Sequence, residues 1–389
     1  MDRFDTLSRR LPKPGIVLLA ATCFVLAAAF ILLPAAHVDA EPRADGDRRV
    51  AAPRPPAQPA TGFGGRDYAY SGIEHEAHGR GDESYWIFRP SGVADACGRP
   101  KAPPIVFLHG WGAMNPRYYG AWIEHLVRRG HVVVYPRYQE SLRTPPATMT
   151  GHVVAAVRDA FARLDVDCRW AAIGHSLGGA LAANLAVRMS AEEDIGAPIV
   201  VLAVEPGRAL EGMRGPVMAL EDLSMLDPET VLVTVAGDDD RVVGDHDARE
   251  IFAAATSTPA ARKRYVVVRS DHHGRPALEA THHAPTAPLD ALDVLANEPA
   301  RVGGRAGRQT VTRRDLQKVD ALDYYAFWKL ADGLISLAGA GTDEIFSADH
   351  VRMLADMGRW SDGRAVAALA FYAELPPAAD SPSAARFVH

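Results

Sequence analysis

The sequence has few cysteines and no excess of positive charge. Its 389 residues include three cysteines, and 42 Lys and Arg stand against 48 Asp and Glu, which gives a formal charge of -6. Nucleic-acid binding is disfavoured because no basic field is present to attract a phosphate backbone. The 48% of hydrophobic residues excludes a disordered or collagen-like chain and is enough for a large buried core.

The first 40 residues predict export. Residues 15–33 (GIVLLAATCFVLAAAFILL) carry no charge, and basic side chains precede them. This run is longer than the apolar region of most signal peptides, about 7 to 15 residues, and approaches the length that spans a bilayer. Residues 1–40 therefore fit either a cleaved signal peptide or a retained transmembrane anchor. Both place the rest of the chain outside the cytoplasm, secreted or membrane-anchored.

The remainder divides into a linker and one domain. Residues 41–61 are rich in Pro and Ala without apolar periodicity, which predicts a disordered tether. From residue 62 to 389, short runs rich in Val, Ile and Leu alternate with amphipathic stretches, which predicts an α/β domain with a mostly parallel central sheet and helices on both faces. The eight candidate strands are residues 68–74, 84–89, 105–109, 131–136, 170–175, 198–204, 230–236 and 264–269.

Polar residues at the ends of three strands suggest a nucleophile, an acid and a base. The run Gly-His-Ser-Leu-Gly-Gly, with Ser176 at its centre, follows a strand and precedes a helix, as a strained nucleophile turn requires. A serine needs a base and an orienting carboxylate. Later strands supply Asp238 to Asp240, and then Asp271, His272 and His273.

These motifs resemble those of the α/β-hydrolase superfamily, in particular exported bacterial serine esterases and lipase-like members. The resemblance implies Asp240 as the acid, since the family places it three residues after the glycine that ends the strand, with Glu205 as the alternative. It implies His273 as the base, within the pattern S-D-x-H-G, with His272 as the alternative.

The resemblance also implies an oxyanion hole. His109-Gly110-Trp111-Gly112 stands where the family places half of that hole. The backbone amides of Trp111 and Leu177 are then the expected donors to the developing oxyanion.

A metal centre and a disulfide are two further readings of the sequence. Asp271 and four histidines (272, 273, 282 and 283) could form a zinc shell, but no H-E-x-x-H spacing is present and one histidine is already assigned as the base. We therefore expect no metal and no cofactor. Cys97 and Cys168 precede adjacent strands and could form a disulfide in an oxidising compartment.

The combined expectation is a serine carboxylic-ester hydrolase that forms an acyl-enzyme on a small-molecule or lipid ester. Acyl transfer or amide hydrolysis by the same triad is the alternative, as is a non-catalytic binding domain on a hydrolase fold. Residues 275–315, rich in Gly, Pro, Arg and His, are expected to be an insertion near the active-site edge. Contact with a membrane is expected only through an uncleaved N-terminal segment.

Overall fold

The chain forms an α/β fold around a single nine-stranded sheet. This computed structural model describes residues 51–92, 102–164, 169–192, 194–208, 217–295 and 318–377. The strand order is β1-β2-β4-β3-β5-β6-β7-β8-β9. The strands are β1 Ile73–His78, β2 Tyr85–Pro90, β3 Ile105–Leu108, β4 Val133–Pro136, β5 Ala171–His175, β6 Val200–Val204, β7 Val231–Gly237, β8 Lys263–Val268 and β9 Ala370–Tyr372.

The six central strands are parallel and buried on both faces. Strands β4, β3, β5, β6, β7 and β8 pair in parallel, whereas β1, β2 and β9 are joined by antiparallel pairing. In β3, Ile105 and Phe107 contribute to one apolar core, and Val106 and Leu108 contribute to another. Because side chains alternate across a strand, these two cores lie on opposite faces of the sheet.

Helices cover the sheet on both sides, as the sequence predicted. The helices are α1 Gly120–Arg128, α2 Pro146–Leu164, α3 Leu177–Ser190, α4 His246–Ala254, α5 Trp328–Gly339 and α6 Ala348–Ala355. Side chains of α1 and α5 belong to the core of Phe107, and side chains of α2 and α3 belong to the core of Val106. A π-helical turn, Asp323–Phe327, leads directly into α5.

The predicted elements agree with the observed ones except at the edges of the sheet. The first strand was expected at residues 68–74 and lies at Ile73–His78, where IEHEAH is half exposed and lacks an apolar pattern. Strand β9 was not predicted, because three half-buried residues form too short a pattern to recognise. Edge strands carry a weak hydrophobic signal because one side of each has no partner strand.

Residues 51–61 lie against the domain, which corrects the prediction of a disordered linker for that part of the segment. The carbonyl of Pro53 accepts a hydrogen bond from the amide of Arg275 at 2.8 Å. The amide of Arg54 donates to Ser361 Oγ, and its carbonyl accepts from the Ser361 amide, both at 2.9 Å. These are backbone interactions, so the composition of the segment gives no sign of them.

Several sequence predictions lie outside the described residues. They concern the signal peptide or anchor at residues 1–40, the cysteines Cys97 and Cys168, and residues 296–315 of the expected insertion. In the described part of the chain, every helix is too short or too polar to cross a bilayer.

Candidate active site

Ser176 occupies a strained turn between β5 and α3. Its backbone has φ 57° and ψ -125°, a left-handed conformation that side chains other than glycine rarely adopt. Such strain persists only where the surrounding structure enforces it, and it is frequent at catalytic positions. Ser176 is 5% exposed and directly precedes the first residue of the helix.

Two glycines allow this turn by permitting close contact between backbones. A Cβ built on Gly174 would lie 1.9 Å from the carbonyl oxygen of Gly178. A Cβ on Gly178 would lie 2.1 Å from the carbonyl oxygen of Leu108 in β3. Any larger residue at either position would push α3 away from the sheet and move Ser176 with it.

The imidazole that contacts Ser176 belongs to His282. Its Nε2 lies 2.9 Å from Ser176 Oγ, and its Nδ1 lies 2.8 Å from Asp240 Oδ2. A carboxylate only accepts hydrogen bonds, so Nδ1 carries the proton and Nε2 is free to accept one from the serine hydroxyl. His282 and Asp240 are 4% and 0% exposed, so water does not compete for these contacts.

Asp240 follows strand β7 and is held as a carboxylate. Its Oδ1 accepts hydrogen bonds from the amides of Val242 at 2.8 Å and Val243 at 3.0 Å. Burial tends to raise the pKa of Asp240, but the hydrogen bond and charge of His282, with those two amides, outweigh it and lower the pKa. The structure thus brings together the predicted nucleophile, the predicted acid and a histidine that was not predicted.

His273, the predicted base, lies elsewhere. Its Nε2 is 2.7 Å from Asp362 Oδ2, and Arg364 donates to its Nδ1 at 3.0 Å. The alternative, His272, is exposed. The prediction is corrected because Asp271 and Leu278 form an isolated β-bridge, so both histidines lie in the turn between them.

The chain then continues from Leu278 back to Ser176, and it carries His282 there. A signal for His282 was present in the sequence. His282 is shortly followed by Ala284, Pro285 and Ala287, which are buried, whereas His272 and His273 stand beside Asp271 and Arg275.

The residue that precedes Trp111 lies against Ser176. A Cβ on Gly110 would be 3.2 Å from Ser176 Cβ. The Gly110 carbonyl accepts from the Ala113 amide at 3.0 Å and lies 2.7 Å from His109 Nδ1. In a trans peptide the N–H points opposite to the carbonyl, so the Trp111 amide is directed away from these partners.

The second expected oxyanion donor, the amide of Leu177, is the first N–H of α3. The first N–H groups of a helix have no acceptor within the helix and favour negative charge. The two amides proposed from the resemblance are thus both close to the serine. Leu177 follows Ser176 in the chain, and Trp111 follows Gly110, which packs against Ser176.

Glu205, the alternative acid, lies behind the histidine without hydrogen bonding to it. It is fully buried with φ 44°, and its Oε2 is 3.8 Å from His282 Nδ1 and 3.6 Å from His175 Nε2. Burial, together with the charge of Asp240, raises its pKa well above the ordinary value. The raised pKa favours the protonated form of Glu205, and Asp240 is the carboxylate that hydrogen-bonds to His282.

Three buried groups stand close enough to suggest a metal site. A ring nitrogen of His175, another of His282 and a Glu205 oxygen lie within 4.8 Å of one another. The hydrogen bonds of the two imidazoles oppose this, since His175 Nε2 faces the His282 carbonyl at 2.8 Å and His282 Nδ1 faces Asp240. These nitrogens carry protons rather than free lone pairs, so the group does not fit a metal.

Comparisons with known proteins give no match in sequence and a weak likeness in structure. No family model matches the chain, and no curated protein matches its sequence. One match among solved structures comes from a structural study of two fungal esterases from Rhizomucor miehei that explains their substrate specificity. It shows 16% identity, covers 52% of this chain and 76% of the other, and has a TM-score of 0.40. The proposed function therefore rests on the geometry of the site.

Proposed function

We propose that this protein is a serine carboxylic-ester hydrolase of the α/β-hydrolase superfamily. The observation that carries the proposal is the buried chain Ser176–His282–Asp240, with contacts of 2.9 and 2.8 Å, built on a strained strand-to-helix turn. The order serine, acid, histidine along the chain, after the parallel strands β5, β7 and β8, is the order of that superfamily.

The geometry supports a two-step acyl transfer. Ser176 Oγ attacks the ester carbonyl while its proton moves to His282 Nε2, and Asp240 stabilises the imidazolium that forms. The amides of Trp111 and Leu177 bind the oxyanion of the tetrahedral intermediate. His282 then protonates the leaving alcohol, and water activated by the same imidazole releases the acid from the serine.

The choice of an ester over an amide or an acyl acceptor other than water rests on the sequence resemblance. The triad itself does not encode the leaving group. We also propose that the protein acts outside the cytoplasm, on the basis of residues 1–40. Sequencing of the mature N-terminus and fractionation of the producing cells test whether that segment is cleaved or retained.

The function is tested with the full-length protein on short- and medium-chain p-nitrophenyl esters, beside Ser176→Ala. Ser224→Ala, which removes an exposed hydroxyl that donates to Asp222 Oδ1, is the control. We expect turnover and fluorophosphonate labelling in the parent and the control, and neither in Ser176→Ala. A parent that shows neither would contradict the proposal and favour a binding domain.

A parent that is labelled but leaves esters intact would indicate that the triad acts on another acyl compound. Anilides and ester substrates with added alcohol acceptors would then separate amide hydrolysis from acyl transfer.

A further inference from the structure

A chain of three hydrogen bonds joins the two sides of the candidate active site behind Ser176. The amide of Gly110 donates to the hydroxyl of Tyr119 at 3.0 Å. That hydroxyl lies 2.8 Å from His175 Nδ1, and His175 Nε2 lies 2.8 Å from the carbonyl oxygen of His282. The chain thus runs from the residue before Trp111 to the backbone of the histidine that contacts the serine.

The direction of every bond in this chain is determined by its ends. The His282 carbonyl can only accept, so His175 Nε2 carries the proton and Nδ1 does not. The Tyr119 hydroxyl must then donate to Nδ1, which leaves its oxygen free to accept from the Gly110 amide. No proton can be moved without breaking a bond at one end.

This chain of hydrogen bonds is shielded from water and uncharged. Tyr119 and His175 are 1% and 2% exposed. Burial raises the pKa of the Tyr119 hydroxyl, and burial with the nearby His282 lowers the pKa of His175 well below its ordinary value. Burial and the charge of Asp240 also raise the pKa of the neighbouring carboxyl, Glu205, which favours its neutral form.

We propose that Tyr119 and His175 are positioning residues that fix the distance between the oxyanion loop at Gly110 and the base His282. The inference rests on the proposed hydrolase function and goes beyond the triad. Neither side chain contacts Ser176 Oγ. Each instead holds the backbone of a segment that carries a reacting group, and His175 directly precedes the serine in the chain.

The two segments come from distant parts of the sequence, so the hydrogen bonds between them hold them at a fixed separation. Gly110 follows β3, and His282 lies beyond β8. Catalysis needs the oxyanion amide and the base to be in place at the same moment, and a shift of about 1 Å can lower a rate by about a hundredfold. A hydrogen bond behind each segment limits such shifts.

Tyr119→Phe tests the proposal because it keeps the ring and removes both hydroxyl contacts. We expect kcat per fluorophosphonate-labelled site to fall by about ten- to a hundredfold, with KM changed by less than about twofold. Tyr265→Phe is the matched control, since that hydroxyl is also buried and donates to Asp245 Oδ2 at 3.0 Å, away from Ser176.

His175→Leu and the double variant complete a cycle. Because the two residues act through one chain, the double variant should lose little more than the more affected single variant. Counting labelled sites removes misfolded protein from the comparison, so a loss of stability alone does not imitate the effect.

Unchanged kcat per labelled site in Tyr119→Phe, or equal losses in Tyr119→Phe and Tyr265→Phe, would overturn the inference while leaving the hydrolase function intact. Losses that multiply in the double variant would also overturn it. A parent with neither turnover nor labelling would refute the proposed function, and the inference with it.

Discussion

One segment of the chain carries two histidines, His273 and His282, and each contacts an aspartate from another segment at nearly the same distance. His273 Nε2 lies 2.7 Å from Asp362, and His282 Nδ1 lies 2.8 Å from Asp240. The first pair lies at the surface, in a region that we call the rim and that includes His273, Arg275, Ser361 and Asp362. The side chain of Asp362 is 42% exposed. The second is buried, with Asp240 fully covered. A histidine–aspartate contact is therefore not by itself a mark of a catalytic site.

The third partner separates the two pairs. At the rim, the other ring nitrogen of His273, Nδ1, accepts a hydrogen bond from Arg364, whose guanidinium does not give up a proton in proteins. In the core, the free nitrogen of His282 meets the hydroxyl of Ser176. Only the second nitrogen can take a proton from a nucleophile, and only there is the imidazolium stabilised away from water.

The sharpest test of this difference exchanges each histidine for alanine. His282→Ala removes the base, and we expect kcat to fall by about 10⁵-fold, in the range known for serine hydrolase triads. His273→Ala is the matched control and should stay within about threefold of the parent. Turnover of p-nitrophenyl esters by both variants measures the effect.

The reverse result would restore His273 as the base. Equal losses in both variants would indicate that the segment acts only as a structural unit. Thermal unfolding of each variant, recorded beside the kinetics, identifies a variant that has merely failed to fold.

The second test compares the two carboxylates. Asp240→Asn keeps the shape and the contacts to the Val242 and Val243 amides, but an amide facing His282 Nδ1 favours the wrong tautomer, so we expect about a 10⁴-fold loss in kcat. Asp362→Asn at the rim should leave kcat within about twofold. A small loss in Asp240→Asn would favour Glu205 as the working acid.

The sequence predicts those parts of the molecule in which each residue's role is local. The central strands were predicted because buried parallel strands need particular residues at particular spacings. Ser176 and Asp240, which the structure joins through His282, were proposed from a tight turn and from a position directly after a strand.

The histidine that contacts Ser176 was not the predicted one because its position depends on tertiary structure. The β-bridge between Asp271 and Leu278 folds the chain back and exchanges one histidine for another nine residues later. Nothing in the spacing records this bridge. The Tyr119–His175 chain was missed for a similar reason, since its hydrogen bonds join three segments that are distant in sequence.

The third test concerns the attachment of the rim to residues 51–61. Deleting residues 51–56 removes the hydrogen bonds to Arg275, Ser361 and the hydroxyl of Tyr324. We expect a loss of about 2 to 4 kcal/mol in the free energy of unfolding, with kcat per labelled site unchanged. Urea unfolding and active-site titration provide the two measurements.

The control deletes residues 43–48, which also removes six residues of the predicted linker 41–61. We expect it to leave the free energy of unfolding unchanged. If the two deletions behave alike, the contacts of residues 51–61 add nothing to stability. If kcat per labelled site also falls, the rim and the buried pair are coupled, and the contrast between them weakens.

The smallest expected effect comes from Glu205, the carboxyl that stands beside the buried pair of His282 and Asp240. Its pKa is raised in the folded protein by burial and by Asp240, from an ordinary value of 4.5. Above pH 4.5 the unfolded chain releases this proton and the folded chain keeps it. Stability therefore falls as pH rises towards the folded pKa, by about 1.4 kcal/mol per pH unit.

Glu205→Gln abolishes that titration, so as the pH rises from 4.5 towards the folded pKa of Glu205 the variant should become more stable relative to the parent, by about 1.4 kcal/mol per pH unit. Urea unfolding at several pH values measures the difference, and Glu279→Gln, at an exposed carboxyl of the segment that carries His282, should follow the parent. Parallel curves for parent and Glu205→Gln would mean that Glu205 ionises within the fold. In that case its charge would act on His282 alongside Asp240, and the buried pair would be a triad with two carboxylates.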